Sequence, residues 1–235
     1  MSVSKKNIRD RILRFWGMER SYKPTYLVKN KNLIYDRIIH DIISSRIKNL
    51  KDFKFIQVGG FDGISNDIIK QIITNYQIEG VIFEPQVFAY EKLVHNYKEY
   101  SNVKISNSGV SDADCIRDFY FTKDYPSQVC SVEYDHLIKH KVPPHHISNR
   151  KVQFHTIDSI MVKFEMGKLD FLQIDAEGHD FSIIKSINFT NNRPGIIRFE
   201  AAHITQNKLS ELLSILSDYE YLFFIEGKDI TAILN

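Results

Sequence analysis

The spacing of apolar and polar residues divides the chain into amphipathic helices alternating with short, densely apolar strands. Residues 5–16 bring Ile8, Ile12, Phe15 and Trp16 near one helical face with Lys and Arg opposite, and residues 17–31, holding Gly17 and Pro24, read as a loop. From Asn32 to Lys48 the residues Leu33, Ile34, Ile38, Ile42, Ile43 and Ile47 recur at helical spacing, with Asn32 placed to cap the helix. Phe53 to Val58 is a buried-strand run, and a Gly59-Gly60-Phe61-Asp62-Gly63 turn leads from it into a helix pattern over 65–73. Glu79-Gly80 then reads as a break, with strands predicted over 81–85 and 103–110 and a helix starting at Gln86 between them. Ile116 to Phe121 alternates as an extra strand, 122–151 reads as an irregular stretch, and Val152 to Thr156 reads as a short strand. Thr156 caps a helix running to Phe164, and the strand Leu169 to Asp175 leads into a helix over 181–187. A strand from Gly195 to His203 and a helix over 206–216 follow, and Tyr221–Ile225 with Ile230–Leu234 forms a terminal hairpin.

This order predicts an α/β fold: a Rossmann-like, doubly wound, mostly parallel sheet with a C-terminal antiparallel hairpin, preceded by an N-terminal helical appendage. The division expected is 1–50 for the appendage, a lid or an oligomer contact, and 51–235 for one main domain. The appendage helix admits two readings. It packs Trp16 on the domain, a second subunit or a biosynthetic partner, or it lays its basic face on a membrane or an anionic substrate.

Composition narrows the function. With 235 residues and a net charge of +2, the chain lacks the electrostatic footprint of a broad nucleic-acid surface, so no nucleic-acid partner is expected. Cys115 and Cys130 are too few and too far apart for a zinc site, and read as reduced thiols. No run reaches the ~18 apolar residues of a membrane helix, and the N-terminus lacks the apolar stretch of a signal peptide. The expected location is cytoplasmic, either free or peripheral to the inner membrane.

The candidate chemistry sits at strand ends. The glycines of the first turn let backbone approach a ligand, and Asp62 beside them would repel a diphosphate but attract an ammonium or a sulfonium. Glu84 ends the second strand 25 residues beyond Gly59, a separation that suits a carboxylate binding a ribose diol. Asp112, after the third strand, is placed to bind an adenine amino group or to serve as a turn acid. Asp175, Glu177, His179 and Asp180 crowd one strand-to-helix corner, and Glu200 and His203 would emerge beside them on a neighbouring strand. His136, His140, His145 and His146 match no common metal spacing and read as solvated loop histidines.

Several of these segments together resemble a known family. Val58-Gly-Gly-Phe-Asp-Gly63, Phe83-Glu-Pro85, Val110-Ser-Asp112, Thr156-Ile-Asp158, Leu172-Gln-Ile-Asp-Ala-Glu-Gly178 and Ile196-Ile-Arg-Phe-Glu200 are similar to FkbM-type methyltransferases over about residues 53–234. The resemblance implies S-adenosylmethionine as cofactor and O-methylation of a sugar, a glycan or a related polyol, such as occurs in polysaccharide modification. It further implies that Gly59, Gly60, Asp62 and Asn66 hold the methionine end and Glu84 the ribose. Pro85, Gln86, Ser111 and Asp112 would flank the adenine, and Asp175 would lie by the sulfonium and the acceptor. A departure lies in the first turn, where the family more often carries Gly-Ala or Gly-Cys and an Asn or His before the acid.

Methyl transfer to a hydroxyl needs alignment and a route for the proton. His203 and His179 are candidate bases beside Asp175 and Glu200. Alternatively Asp175, Glu177 and Glu200 bind a hard divalent cation such as Mg²⁺ that lowers the acceptor's pKa. Two other readings stand beside this one: a non-catalytic subunit of the same fold, and an NAD-dependent oxidoreductase, for which the chain lacks GxGxxG.

Overall fold

The computed structural model describes residues 37–49, 52–65, 67, 69–123, 127 and 129–235. The expected helix over 5–16, the loop after it, the Asn32 cap and the candidate cofactor residue Asn66 lie outside the described residues. The elements run α1 (Arg37–Asn49), β1 (Lys54–Val58), α2 (Ile69–Tyr76), β2 (Glu79–Phe83), α3 (Val87–Tyr97), β3 (Val103–Ser106), β4 (Gly109–Val110) and β5 (Cys115–Thr122). They continue with α4 (Tyr134–Lys139), a 3₁₀ turn at Pro144–His146, β6 (Ile147–His155), α5 (Ile157–Lys163), β7 (Phe171–Ile174), α6 (Asp180–Lys185), β8 (Ile196–Glu200), α7 (Gln206–Asp218), β9 (Tyr221–Glu226) and β10 (Asp229–Leu234).

The main sheet has seven strands in the order β3-β2-β1-β7-β8-β10-β9. The first five are mutually parallel, and the terminal hairpin adds β10 antiparallel to β8 and β9 antiparallel to β10. Strand order reverses between β1 and β7, which opens a crevice at their carboxyl ends. Central strands such as β7 are buried at every position because helices cover both faces. Ile56, Val58, Leu172, Ile174 and Phe199 face one core with Ile160, Ile183, Leu212 and Leu216. Phe55, Ile82, Phe171 and Ile196 face the other with Ile72, Leu93 and Tyr97. Ile39 and Ile43 of α1 join this second core at 0% exposure, each contributing about 2 kcal/mol of burial. Arg46 reinforces the contact, donating to the carbonyls of Gly195 and Leu234. The part of the expected appendage that is described therefore packs as a layer of the domain.

Local chemistry moved several boundaries. Helix α2 starts later than its apolar pattern because the Asp67 carboxylate accepts the N–H groups of Ile69 (2.8 Å) and Lys70 (3.3 Å), which is the geometry of an N-cap. Gly80 is a strand residue, not a break: a Cβ there would fall 2.3 Å from the Phe55 ring, so glycine lets β2 lie against β1. The run 103–110 is two strands. Asn107 turns the chain out of the main sheet by donating to the Glu84 carbonyl (2.9 Å), and β4 then joins a second sheet in the order β4-β6-β5. The stretch 122–151 contains α4, the 3₁₀ turn and the first half of β6, which pairs antiparallel with β5 from Cys115↔Phe154 to Thr122↔Ile147. Thr156 caps α5 as expected, accepting from Ser159 N–H at 3.1 Å. Both cysteines are free thiols. Among the described residues no helix is long and apolar enough to cross a membrane.

Candidate active site

Strand register assembles the site. Ser106, Phe83, Val58, Ile174 and Phe199 form one row across β3, β2, β1, β7 and β8. One residue further along come Asn107, Glu84, Gly59, Asp175 and Glu200, and Glu200 pairs with Asp229 on β10. Three carboxylates and a glycine thus sit at one level along the carboxyl edge of the sheet, straddling its switch point. Gly59, at φ +79°, allows the tightest approach: a Cβ there would lie 2.1 Å from the Asp175 carbonyl oxygen. Gly60 and Gly63 are also closely packed: a Cβ on Gly60 would lie 2.3 Å from Ile82 of β2, and one on Gly63 2.4 Å from Tyr97 and 2.5 Å from Leu93 of α3.

Glu84 is 4% exposed, and its two carboxylate oxygens reach in opposite directions. Oε2 accepts the Phe61 N–H at 2.8 Å and Oε1 the Gln86 N–H at 2.7 Å, so one side chain fixes both the first turn and the start of α3. Burial lifts its pKa to about 7 against those two hydrogen bonds, with the Asp175 charge raising it further and Arg150 opposing. Arg150 on β6 donates from Nη2 to the Pro85 carbonyl and to Asn107 Oδ1, both at 2.7 Å. Gln86 donates from Nε2 to the Ser127 carbonyl.

The corner after β7 is crowded with acids. Asp175 presents surface to solvent, yet the surrounding protein desolvates its carboxyl enough to lift the pKa to about 6. After desolvation, the charges acting on it are Glu177 and Glu200, then Lys228 and Asp229, which makes three acids to one base. Asp180 is fully buried and raised to about 7, by desolvation first and Asp175 next. Its Oδ1 accepts the Glu200 N–H at 3.3 Å, and its Oδ2 has no hydrogen-bond partner. Lys228, in the terminal hairpin, meets Glu200 Oε1 at 2.5 Å. A donor set with this excess of negative charge fits a cationic ligand and disfavours a pyrophosphate.

The Methyltransferase FkbM domain model matches residues 57–223, well over half of the chain. The chain belongs to the FkbM methyltransferase family. Its fold is similar to that of a crystallised FkbM methyltransferase from Methylobacillus flagellatus KT, with a TM-score of 0.50 and 14% identity over 77% of this chain. This chain spans 43% of that protein's length. A putative caffeoyl-CoA O-methyltransferase from Staphylococcus aureus aligns over 98% of this chain and 99% of its own at 11% identity, with a TM-score of 0.46. A precorrin-6y C5,15-methyltransferase from Geobacter metallireducens GS-15 aligns over 87% and 92% at 12% identity, with a TM-score of 0.44. No curated protein is significantly similar to this chain in sequence.

The remaining expected site residues of this FkbM-family chain fall into two groups. His179 leaves the acidic corner: its Nε2 lies 2.9 Å from Ser111 Oγ and 3.8 Å from Asp112 Oδ1. Burial lowers its pKa against the Asp112 charge. Asp112 also takes a hydrogen bond from Arg117 at 2.8 Å, which with Ser111 holds its carboxyl below the usual range despite partial desolvation. Asp62 is engaged within its own turn, accepting from Ile64 N, Ser65 N and Ser65 Oγ at 2.7–2.9 Å. Desolvation works against these bonds, and the net effect still lowers its pKa.

His203 stays in the corner, its Nε2 3.7 Å from Glu200 Oε2 and 3.9 Å from Glu177 Oε2. Of the expected cation ligands Glu177 and Glu200 converge, and the third donor within reach of both is His203, with the three atoms mutually inside 4.8 Å. The reading of His136 as a solvated loop residue is overturned: it lies on α4 and is 9% exposed, because α4 folds onto the corner. Arg150, Asn107 and Lys228 were also missed. Their signal was distributed over partners 23 to 65 residues away, and no local pattern marks it. For His136 and His140 a signal existed: two histidines four apart share one helix face.

Proposed function

We propose that this chain is an S-adenosylmethionine-dependent O-methyltransferase acting on a hydroxyl of a sugar, a glycan or a related polyol. The observation that carries the reading is the row Glu84–Gly59–Asp175–Glu200 at the switch point, where carboxylates crowd a crevice and glycine keeps its floor low.

In this reading Gly59, Gly60 and Asp62 hold the methionine end, with Asn66 beside them, and Glu84 accepts the ribose hydroxyls through the lone pairs its backbone donors leave free. Pro85, Gln86, Ser111 and Asp112 flank the adenine. When bound, the cofactor supplies an electrophilic methyl on a cationic sulfur. The chain then has two tasks. The Gly59–Asp175 contact sets the distance between the two sides of the crevice, and Asp175 orients the acceptor hydroxyl. As the oxygen gains the methyl, Asp175 receives the hydroxyl proton, which its desolvated carboxyl holds more tightly than a free carboxylate would. His179 serves Ser111 and Asp112 rather than the proton.

Calorimetry with S-adenosylmethionine and with NAD tests the cofactor assignment, and transfer of labelled methyl to a panel of sugars and polyols tests the acceptor. Binding of NAD in place of S-adenosylmethionine would overturn the reading. Cofactor binding with no transfer to any hydroxyl acceptor would favour the non-catalytic subunit.

A further inference from the structure

We propose that Glu177, Glu200 and His203 form a divalent transition-metal site with the buried His136 as fourth donor. Glu177, Glu200 and His203 each offer one ligand atom, and the three atoms lie within 4.8 Å of one another. The contacts run His136 Nε2–Glu177 Oε2 at 3.5 Å, Glu177 Oε2–His203 Nε2 at 3.9 Å and His203 Nε2–Glu200 Oε2 at 3.7 Å. A tetrahedron with metal–ligand bonds of about 2.1 Å has edges of roughly 3.4 Å, against 3.5–3.9 Å for these three contacts; His136 lies outside the group of three that falls mutually within 4.8 Å and moves toward Glu200 and His203 to become the fourth donor.

His136 provides an independent observation. It is 9% exposed, and its Nε2 is buried with no hydrogen-bond partner; at 3.5 Å from Glu177 the ring is too far for a good hydrogen bond. A buried, unpaired ring nitrogen beside a carboxylate is a cost that a bound cation would remove. His140 packs against the same group, its ring centroid 4.5 Å from His136 and 5.4 Å, edge-on, from His203.

The backbone is bent to make this meeting. Glu177 takes φ +48° and Gly178 φ +94°, and a Cβ on Gly178 would already touch His203 Cβ at 3.5 Å. Lys228 occupies Glu200 Oε1, leaving Oε2 for the ion. Two imidazoles and two carboxylates suit Zn²⁺, Fe²⁺ or Co²⁺, whereas Mg²⁺ wants an octahedron of oxygens. The inference does not rest on the methyl-transfer reading: the ion can bind whether or not an acceptor hydroxyl is its neighbour.

The test uses the full chain freed of metal by a chelator and then titrated with ZnCl₂, CoCl₂ or MgCl₂, followed by calorimetry, melting temperature and the visible spectrum of Co²⁺. Expected are one equivalent of Zn²⁺ bound at micromolar affinity or tighter, intense Co²⁺ bands of a four-coordinate site, a raised melting temperature, and no response to MgCl₂ at the same concentration. His203→Ala and His136→Ala each weaken Zn²⁺ binding at least tenfold, and the exposed His95→Ala on α3 does not. His203 is exposed, so its variant remains informative even if Glu200→Gln or His136→Ala fails to fold. Absence of one-to-one binding, octahedral Co²⁺ spectra, or His203→Ala binding Zn²⁺ like the unaltered chain would overturn the proposal.

Discussion

Glu84 Oε2 accepts the backbone N–H of Phe61 at 2.8 Å, so the residue that ends β2 holds the turn that follows β1. The other oxygen of the same carboxylate holds Gln86 N–H at 2.7 Å. The side chain proposed to grip the cofactor is therefore also the brace of the crevice, and its loss acts on affinity and on stability together.

Glu84→Ala is expected to weaken S-adenosylmethionine binding by one to two orders of magnitude, about the loss of two charge-assisted hydrogen bonds. Calorimetry at a temperature where both proteins are folded measures it. An unchanged dissociation constant would remove Glu84 from the ribose site.

The pH dependence of stability follows from the same residue. Its pKa of about 7 when folded exceeds the ordinary 4.5, because burial disfavours the charge more than the backbone donors and Arg150 favour it. Between those two values the folded state binds the extra proton, so this contribution is greatest below about 4.5 and is lost as pH rises through 7. The stability of the unaltered chain relative to Glu84→Ala should fall by up to about 3 kcal/mol between pH 4.5 and pH 8. Urea unfolding of both proteins across that range reads the difference, and a flat difference would mean that Glu84 is ionised throughout.

Asp175→Ala should abolish methyl transfer while the protein remains folded, because Asp175 is exposed and sits on the crevice edge rather than in either core. Circular dichroism and a transfer assay on the same sample separate the two effects. Substantial remaining turnover would place the proton's destination elsewhere.

Gly59→Ala forces a Cβ to 2.1 Å from the Asp175 carbonyl oxygen at a φ that L residues rarely adopt. The expected cost is about 3 kcal/mol, or a melting temperature lower by about 10 °C. Gly167→Ala has a similar φ of +65° with nothing within 4 Å, and should cost only about 1 kcal/mol. Equal losses in the two variants would show that the close approach of β1 to Asp175 carries no weight.

The order of strands and helices was legible in the chain because dense apolar runs such as Phe171–Ile174 can only be buried strands, and each was punctuated by glycine, proline or acid. Glu84, Asp175 and Glu200 were legible for a related reason: a charge directly after a buried strand must emerge at the sheet's carboxyl edge. The burial of His136 was not legible, and neither were the partners of Arg150 and Lys228. His136 is buried only because α4 folds onto the Glu177 corner, and Arg150 reaches Pro85 only because β6 pairs with β5 in a second sheet.

By itself, then, the sequence determined most strands and helices of the main sheet and which acids stand at their ends, because periodicity and burial act within a few residues. Only the tertiary structure decided which of those acids meet which histidines and cations. Those meetings depend on strand order and on the paths of distant loops, and they are held by hydrogen bonds and ion pairs between residues that no local pattern connects.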